Sequence, residues 1–190
     1  MSTSGPSSRN ARKRAPAPQT AGAGAPLVPH LVGYDGLAAS FARVVASGRL
    51  SHAYCFHGDE GRGKASFARA LASFIETGSF TPGPAPLFDL TVVSPGEGGS
   101  IGIDAAREIR RFLWQTPLRS PRRTALVDQA EMLTHEAQGA LLKIVEEPPP
   151  HALLMFVTHA LDALLPPLRS RITAVYVPRR PTAEVRAFLV

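Results

Sequence analysis

The sequence predicts an α/β fold in which a five-stranded parallel sheet carries helices on both faces around a phosphate-cradling loop. Three observations predict it. Apolar or alternating runs of strand length recur between helical stripes over residues 27–178, the pattern of a parallel sheet with crossover helices. The first run leads into Gly58-Asp59-Glu60-Gly61-Arg62-Gly63-Lys64-Ala65, which has the spacing G-x-x-x-x-G-K of a phosphate loop. A later run, Thr124-Ala125-Leu126-Val127-Asp128, ends in an acid, the partner such a loop needs on a neighbouring strand.

Residues 1–26 are rich in Ser, Ala, Pro and Gly, lack aromatic side chains and read as a disordered tail. Arg9, Arg12, Lys13 and Arg14 lie there without an acidic neighbour, so of the formal net charge of +6 only +2 belongs to the remainder. The basic cluster reads either as a solvated leader or as a DNA-contacting segment. No apolar run reaches the ~20 residues of a membrane span, and the N-terminus has no apolar core of a secretory signal. A cytoplasmic protein without a membrane partner is expected. The single Cys55 excludes an internal disulfide and a cysteine-based zinc site, and its place in an apolar strand predicts a buried thiol.

The fold opens near Gly33 to Gly36, and Leu37, Phe41, Val44 and Val45 give a helical stripe that Gly48 ends. His52–His57 is the first strand. After the loop, Phe67, Leu71, Phe74 and Ile75 form a second stripe, followed by an irregular, proline-rich connection over 77–86. Phe88–Val93 is the second strand and Ser94–Ser100 a flexible loop. The next helix starts at Ile103-Asp104 and is expected to bury Ile109, Leu113 and Trp114. Thr124–Asp128 is the third strand; Ala137, Leu141, Leu142 and Val145 mark a helix that Pro148 to Pro150 stop. Leu153–Thr158 and Ala174–Val177 complete the sheet. Residues 179–190 read as the first turns of a helical lid domain.

The loop chemistry is incomplete. Gly58, Gly61 and Gly63 allow backbone N–H groups to converge on phosphate, and Lys64 reaches the outer phosphates. Ala65 stands where a Ser or Thr would ligate Mg²⁺, and Ser66, one step on, is displaced by about 100° around a helix. Asp128 is the acid that would hold the metal. Gln129 stands where hydrolysing enzymes carry a Glu; an amide orients water but takes no proton. ATP binding with Mg²⁺ at Asp128 is therefore expected to outlast efficient hydrolysis. Asp128 as a plain strand terminus remains the simpler alternative.

From about Leu31 to Val190 the sequence resembles the bacterial DNA polymerase III clamp-loader subunits of the AAA+ class, most closely their delta-prime branch. The resemblance rests on Gly48-Arg49-Leu50-Ser51-His52-Ala53-Tyr54 before the loop and on Ile103-Asp104-Ala105-Ala106-Arg107. Its most specific stretch is Ala140-Leu141-Leu142-Lys143-Ile144-Val145-Glu146-Glu147-Pro148-Pro149. Ser170-Arg171 resembles the family's Ser-Arg-Cys motif, with Ile172 in place of the cysteine.

The resemblance implies an arc of subunits that opens the sliding clamp and closes it on primed DNA, with ATP at subunit interfaces. It implies that Arg171 is an arginine finger for the neighbouring subunit, Thr158 a sensor of the γ-phosphate, and Glu146-Glu147 a contact of unnamed partner. The alternative reading of Arg171 is a surface ion-pair member. The family's four zinc-binding cysteines are absent, so no zinc is expected. The collar domain that holds the family's pentamer together has no counterpart before Val190, which makes the chain either a fragment or a collarless form. The leading expectation is a weakly or non-hydrolysing stator that donates Arg171. The alternatives are an ATP-hydrolysing motor subunit and a decayed or repurposed nucleotide-binding paralogue.

Overall fold

The computed structural model describes residues 33–178 except 82, 84 and 97. The expected tail (1–26) and lid start (179–190) lie outside the described residues. Helix α1 (Asp35–Ala46) is followed by β1 (Ala53–His57), α2 (Lys64–Thr77), β2 (Leu90–Val93), α3 (Ile103–Leu113) and β3 (Arg123–Val127). Then come α4 (His135–Glu146), β4 (Ala152–Thr158), α5 (Pro166–Arg169) and β5 (Thr173–Tyr176), with short 3₁₀ turns at Ala130–Met132 and Leu161–Ala163. The five strands form one sheet in the order β2-β3-β4-β1-β5, and every neighbouring pair is parallel.

Local chemistry sets the boundaries. Gly48, with φ of 69°, donates its N–H to the Val45 carbonyl, and Gly78, at φ of 80°, donates to that of Phe74, so each releases its helix through a left-handed residue. The hydroxyl of Thr134 accepts the Ala137 N–H at 3.2 Å and caps α4. All seven residues of β4 are buried, as expected for a central strand covered on both faces, whereas β5 is an edge strand with an exposed pattern.

Each face of the sheet has its own core. On one, α3, α4 and α5 deliver Ile109, Leu113, Leu141, Val145 and Leu168 against Phe156 and Ala125. On the other, α1 and α2 bring Phe41, Phe67 and Leu71 onto Phe56, Leu153 and Met155. The Phe41, Phe56 and Phe67 rings pack mutually with centroids 5.4 to 5.7 Å apart. Cys55 is fully buried, and burial, with a smaller push from the Glu131 charge, raises its thiol to about 12. It is a packing residue.

Two readings are corrected. Trp114 is 61% exposed and is the residue after α3, because Ile109 and Leu113 already occupy the inward positions and Trp114 lies one step around the helix from them. Strand β2 begins at Leu90 rather than Phe88. The Phe88 and Asp89 N–H groups are taken by the Glu76 carboxylate, at 2.9 and 3.0 Å, and Phe88 turns outward under the Arg119 guanidinium.

At the N-terminal end of the sheet, Asp89 and Arg123 form a buried ion pair of 2.7 Å between the approaches to β2 and β3. Asp89 also accepts the N–H groups of Leu118, Arg119 and Ser120, each at 2.7 Å. Arg123 lies over the Phe112 ring and donates to the Phe112 carbonyl and to Gln115 Oε1. Burial pushes the Asp89 carboxyl up, but the three N–H groups and Arg123 outweigh it and hold the group at about 2. No local pattern in the sequence marks this clamp.

Candidate functional site

The opposite, C-terminal edge of the parallel sheet is where such folds place their ligands. The ends of β1, β3 and β4 meet there around a cavity of about 450 Å³. Gly61, Gly63, Lys64 and Ala65 line one wall; Asp128, Gln129, Glu131, Thr158 and His159 line the other.

The loop between β1 and α2 is held from behind. Gly58 has φ of 141°, and a Cβ there would lie 2.7 Å from the Val177 carbonyl oxygen, while the Val177 N–H bonds to the His57 carbonyl at 2.8 Å. Glycine is required by both the dihedral and the close approach. Gly61 and Gly63 also adopt positive φ, 72° and 75°. The Tyr34 hydroxyl donates to the Arg62 carbonyl, and Arg62 pairs with Asp59. Gly63 offers no side-chain cap to α2, so the first N–H groups of that helix keep their donors for an incoming anion.

Lys64 is buried and folds back on its own loop, donating to the Gly58 and Asp59 carbonyls at 2.8 and 2.7 Å. Desolvation lowers its pKa, opposed first by the Glu131 charge and then by Glu60 and Asp128. Asp128 extends β3 by one bond, its N–H to the Val93 carbonyl at 2.8 Å, and its Oδ1 accepts the Gln129 N–H at 3.0 Å. Gln129 is the one non-glycine residue with positive φ, 54°, among those described. Such strain clusters at functional sites. Thr158 is buried, and its Oγ1 accepts the Ala160 N–H at 3.0 Å, which leaves the hydroxyl proton available to a ligand.

The site residues expected from sequence separate into two groups. Gly61, Gly63, Lys64, Ala65, Asp128 and Thr158 line the cavity, with Gly58 bracing it from behind. Ser66 is exposed and lies outside the lining. Arg171 also lies outside it, just after α5, where it donates to the Pro167 carbonyl at 2.9 Å and pairs through Nε with Glu146 Oε1 at 3.1 Å. Glu146, whose contact the sequence left unnamed, thus meets the guanidinium of Arg171. Buried Gln138 ties α4 to the same segment by accepting the Leu165 N–H at 2.6 Å and donating to the Ala163 carbonyl at 3.1 Å.

Glu131 and His159 were missed. The available signals were a second acid three residues after Asp128 and a histidine directly after Thr158. Pairing of β3 with β4, with Val127 opposite Phe156, brings the two turns together.

The donors present fit a phosphate chain: free helix N–H groups, a buried ammonium and a hydroxyl. They fit a metal less well. The hydroxyl at position 65 is missing, and no group of three or more His, Cys, Asp or Glu side chains that could hold a metal occurs among the described residues.

Residues 85–180 match the family described as DNA polymerase III, delta subunit. The chain belongs to this family. The DNA polymerase III subunit gamma/tau of Mycobacterium tuberculosis is 36% identical over 154 residues, 74% of this chain and 27% of that protein. The subunit tau of Escherichia coli is 29% identical over 140 residues, covering 67% of this chain and 22% of its own length. The chain therefore spans about a quarter of the curated relatives it matches.

Among solved structures, a gamma subunit-related protein of DNA polymerase III from Thermotoga maritima superposes with a TM-score of 0.60 at 27% identity, over 76% of this chain and 47% of that one. The RuvB Holliday junction branch migration motor of the same organism gives 0.57 at 17% identity over 81% and 47%, a likeness of fold alone. These relationships place the chain in the DNA polymerase III group of subunits and give it the fold of the gamma subunit-related protein. They do not separate the delta-prime branch from gamma/tau: the family description names delta and the curated relatives are gamma/tau.

Proposed function

We propose that this domain is part of a delta-prime-like clamp-loader subunit of the DNA polymerase III holoenzyme, a cytoplasmic stator that binds nucleotide without turning it over efficiently. Its role is to present Arg171 to the ATP site of a neighbouring subunit. The observation that carries this reading is the separation of Arg171 from the chain's own cavity: its guanidinium is held by Glu146 and the Pro167 carbonyl, and the side chain is 44% exposed. A permanently charged planar fork in that position suits phosphate recognition across an interface.

Within its own cavity the proposed roles are unequal. The N–H groups after Gly63 and the Lys64 ammonium would take the phosphates, and the Thr158 hydroxyl would report the outermost one. When bound, Mg²⁺ offsets phosphate charge; Asp128 would hold it, without help from Ala65. Gln129 provides no base. The proposed partners are other clamp-loader subunits directly, and the sliding clamp and primed DNA through them.

A loader reconstituted with full-length subunits tests the reading. Arg171→Ala should leave assembly and this chain's own nucleotide affinity intact, and should lower clamp- and DNA-stimulated ATPase by about 10³-fold at a site served by such a finger. Unchanged ATPase in an assembled complex would retire the finger. The second reading, an ATP-hydrolysing motor subunit, is favoured by the gamma/tau names of the relatives. Robust turnover by the purified chain that Lys64→Ala abolishes would establish it instead.

A further inference from the structure

We infer that Glu131, braced by His159, is the specificity residue of this cavity and makes it a site for a nucleoside diphosphate in preference to a triphosphate. The inference rests on the reading of the cavity as a nucleotide site. It deepens that reading by assigning the ligand's charge state.

Glu131 projects from the 3₁₀ turn that follows β3, and His159 follows β4. The Glu131 side chain is 8% exposed; His159 Nδ1 lies 2.7 Å from its Oε1, and its Oε2 is buried without a protein hydrogen-bond partner. A carboxylate so shielded from water keeps a long electrostatic reach. It lines the same cavity as Asp128 and Lys64, and its charge opposes the lowering of the Lys64 pKa by burial.

Lys64 is the group that meets the outer phosphates. A carboxylate acting on that ammonium therefore acts where a third phosphate adds its charge. Two permanently charged cations line the cavity: Arg62 pairs with Asp59 through Nη2 and keeps a buried Nη1 without a protein partner, and Lys64 shares the cavity with Glu60, Asp128 and Glu131. In a complete loop a hydroxyl-held metal would offset the additional phosphate charge. With Ala65 that offset is weakened, and the Glu131 field opposes the triphosphate.

Isothermal titration of the whole chain with ADP and with ATP, each in EDTA and in Mg²⁺, tests the inference. The wild-type chain should bind ADP about 10-fold more tightly than ATP, and Glu131→Gln should raise ATP affinity enough to bring the two within about 3-fold. The wild-type ratio decides on its own if the variant fails to fold: ATP bound as tightly as ADP overturns the inference while the nucleotide site stands. An ADP preference that persists in folded Glu131→Gln overturns it equally. Weaker Mg·ATP binding by Glu131→Gln would make Glu131 a metal-holding acid and also contradict it. Binding of neither nucleotide to the wild-type chain would remove both the inference and the nucleotide reading.

Discussion

The two ends of the sheet bury charge in opposite ways. At the N-terminal end Asp89 and Arg123 saturate each other and their surroundings: three backbone N–H groups, two carbonyls and the Gln115 amide complete the clamp. At the C-terminal end Lys64 is bonded only to its own loop, Glu131 keeps one oxygen without a protein partner, and Gln129 is strained. Buried polar groups in a stable fold are normally satisfied, so the first end reads as structure and the second as a site awaiting a ligand. Removing one partner of the completed pair is therefore expected to cost more stability than removing a charge at the cavity.

Substitutions can break that contrast. Asp89→Ala leaves Arg123 buried and unpaired and should cost about 3–5 kcal/mol in urea unfolding at neutral pH, the largest effect expected. Gly58→Ala should cost about 1–3 kcal/mol, because its Cβ would meet the Val177 oxygen and its φ of 141° is strained for any L side chain. Circular dichroism melts would detect the loss, and a change below 0.5 kcal/mol would mean that β5 yields to the loop.

Acid sharpens the comparison. The folded Asp89 carboxyl sits at about 2, below its ordinary 3.8. Its contribution of about 2 kcal/mol is therefore complete above pH ~4 and lost as pH falls through about 2. Wild type should lose that increment over this window in a pH series of unfolding curves, and Asp89→Asn should not. Thr134→Ala should cost about 1 kcal/mol through the α4 cap, the smallest of these effects. A negligible change would show that the helix end finds another acceptor.

The same contrast explains what was legible in the sequence. The strands and helices were readable because burial imposes local periodicity: the apolar run of β4 and the Phe67, Leu71, Ile75 stripe of α2 each declare their element within a few residues. The loop between β1 and α2 was readable because its glycines and lysine are contiguous. The clamp was not, because Asp89 and Arg123 are 34 residues apart and meet only through strand pairing. Glu131 and His159 escaped for the same reason, as neighbours created by the register of β3 and β4. Trp114 was misread because an apolar residue one step past a buried stripe looks continuous with it, and only the end of α3 sends it outward.

Charge at the N-terminal end is expected to hold the fold, whereas charge at the cavity is expected to serve a ligand. Parallel urea unfolding of Arg123→Met and Lys64→Met at pH 7, without nucleotide, tests it most directly. Burial lowers the Lys64 pKa, so its charged form is disfavoured by folding: its cost is present at neutral pH and disappears only as pH rises through its ordinary value. Lys64→Met should therefore change stability by less than about 1 kcal/mol, or raise it, whereas Arg123→Met leaves a buried carboxylate uncompensated and should cost about 3 kcal/mol or more. Losses of equal size in the two variants would mean that both ends of the sheet use their charge in the same way.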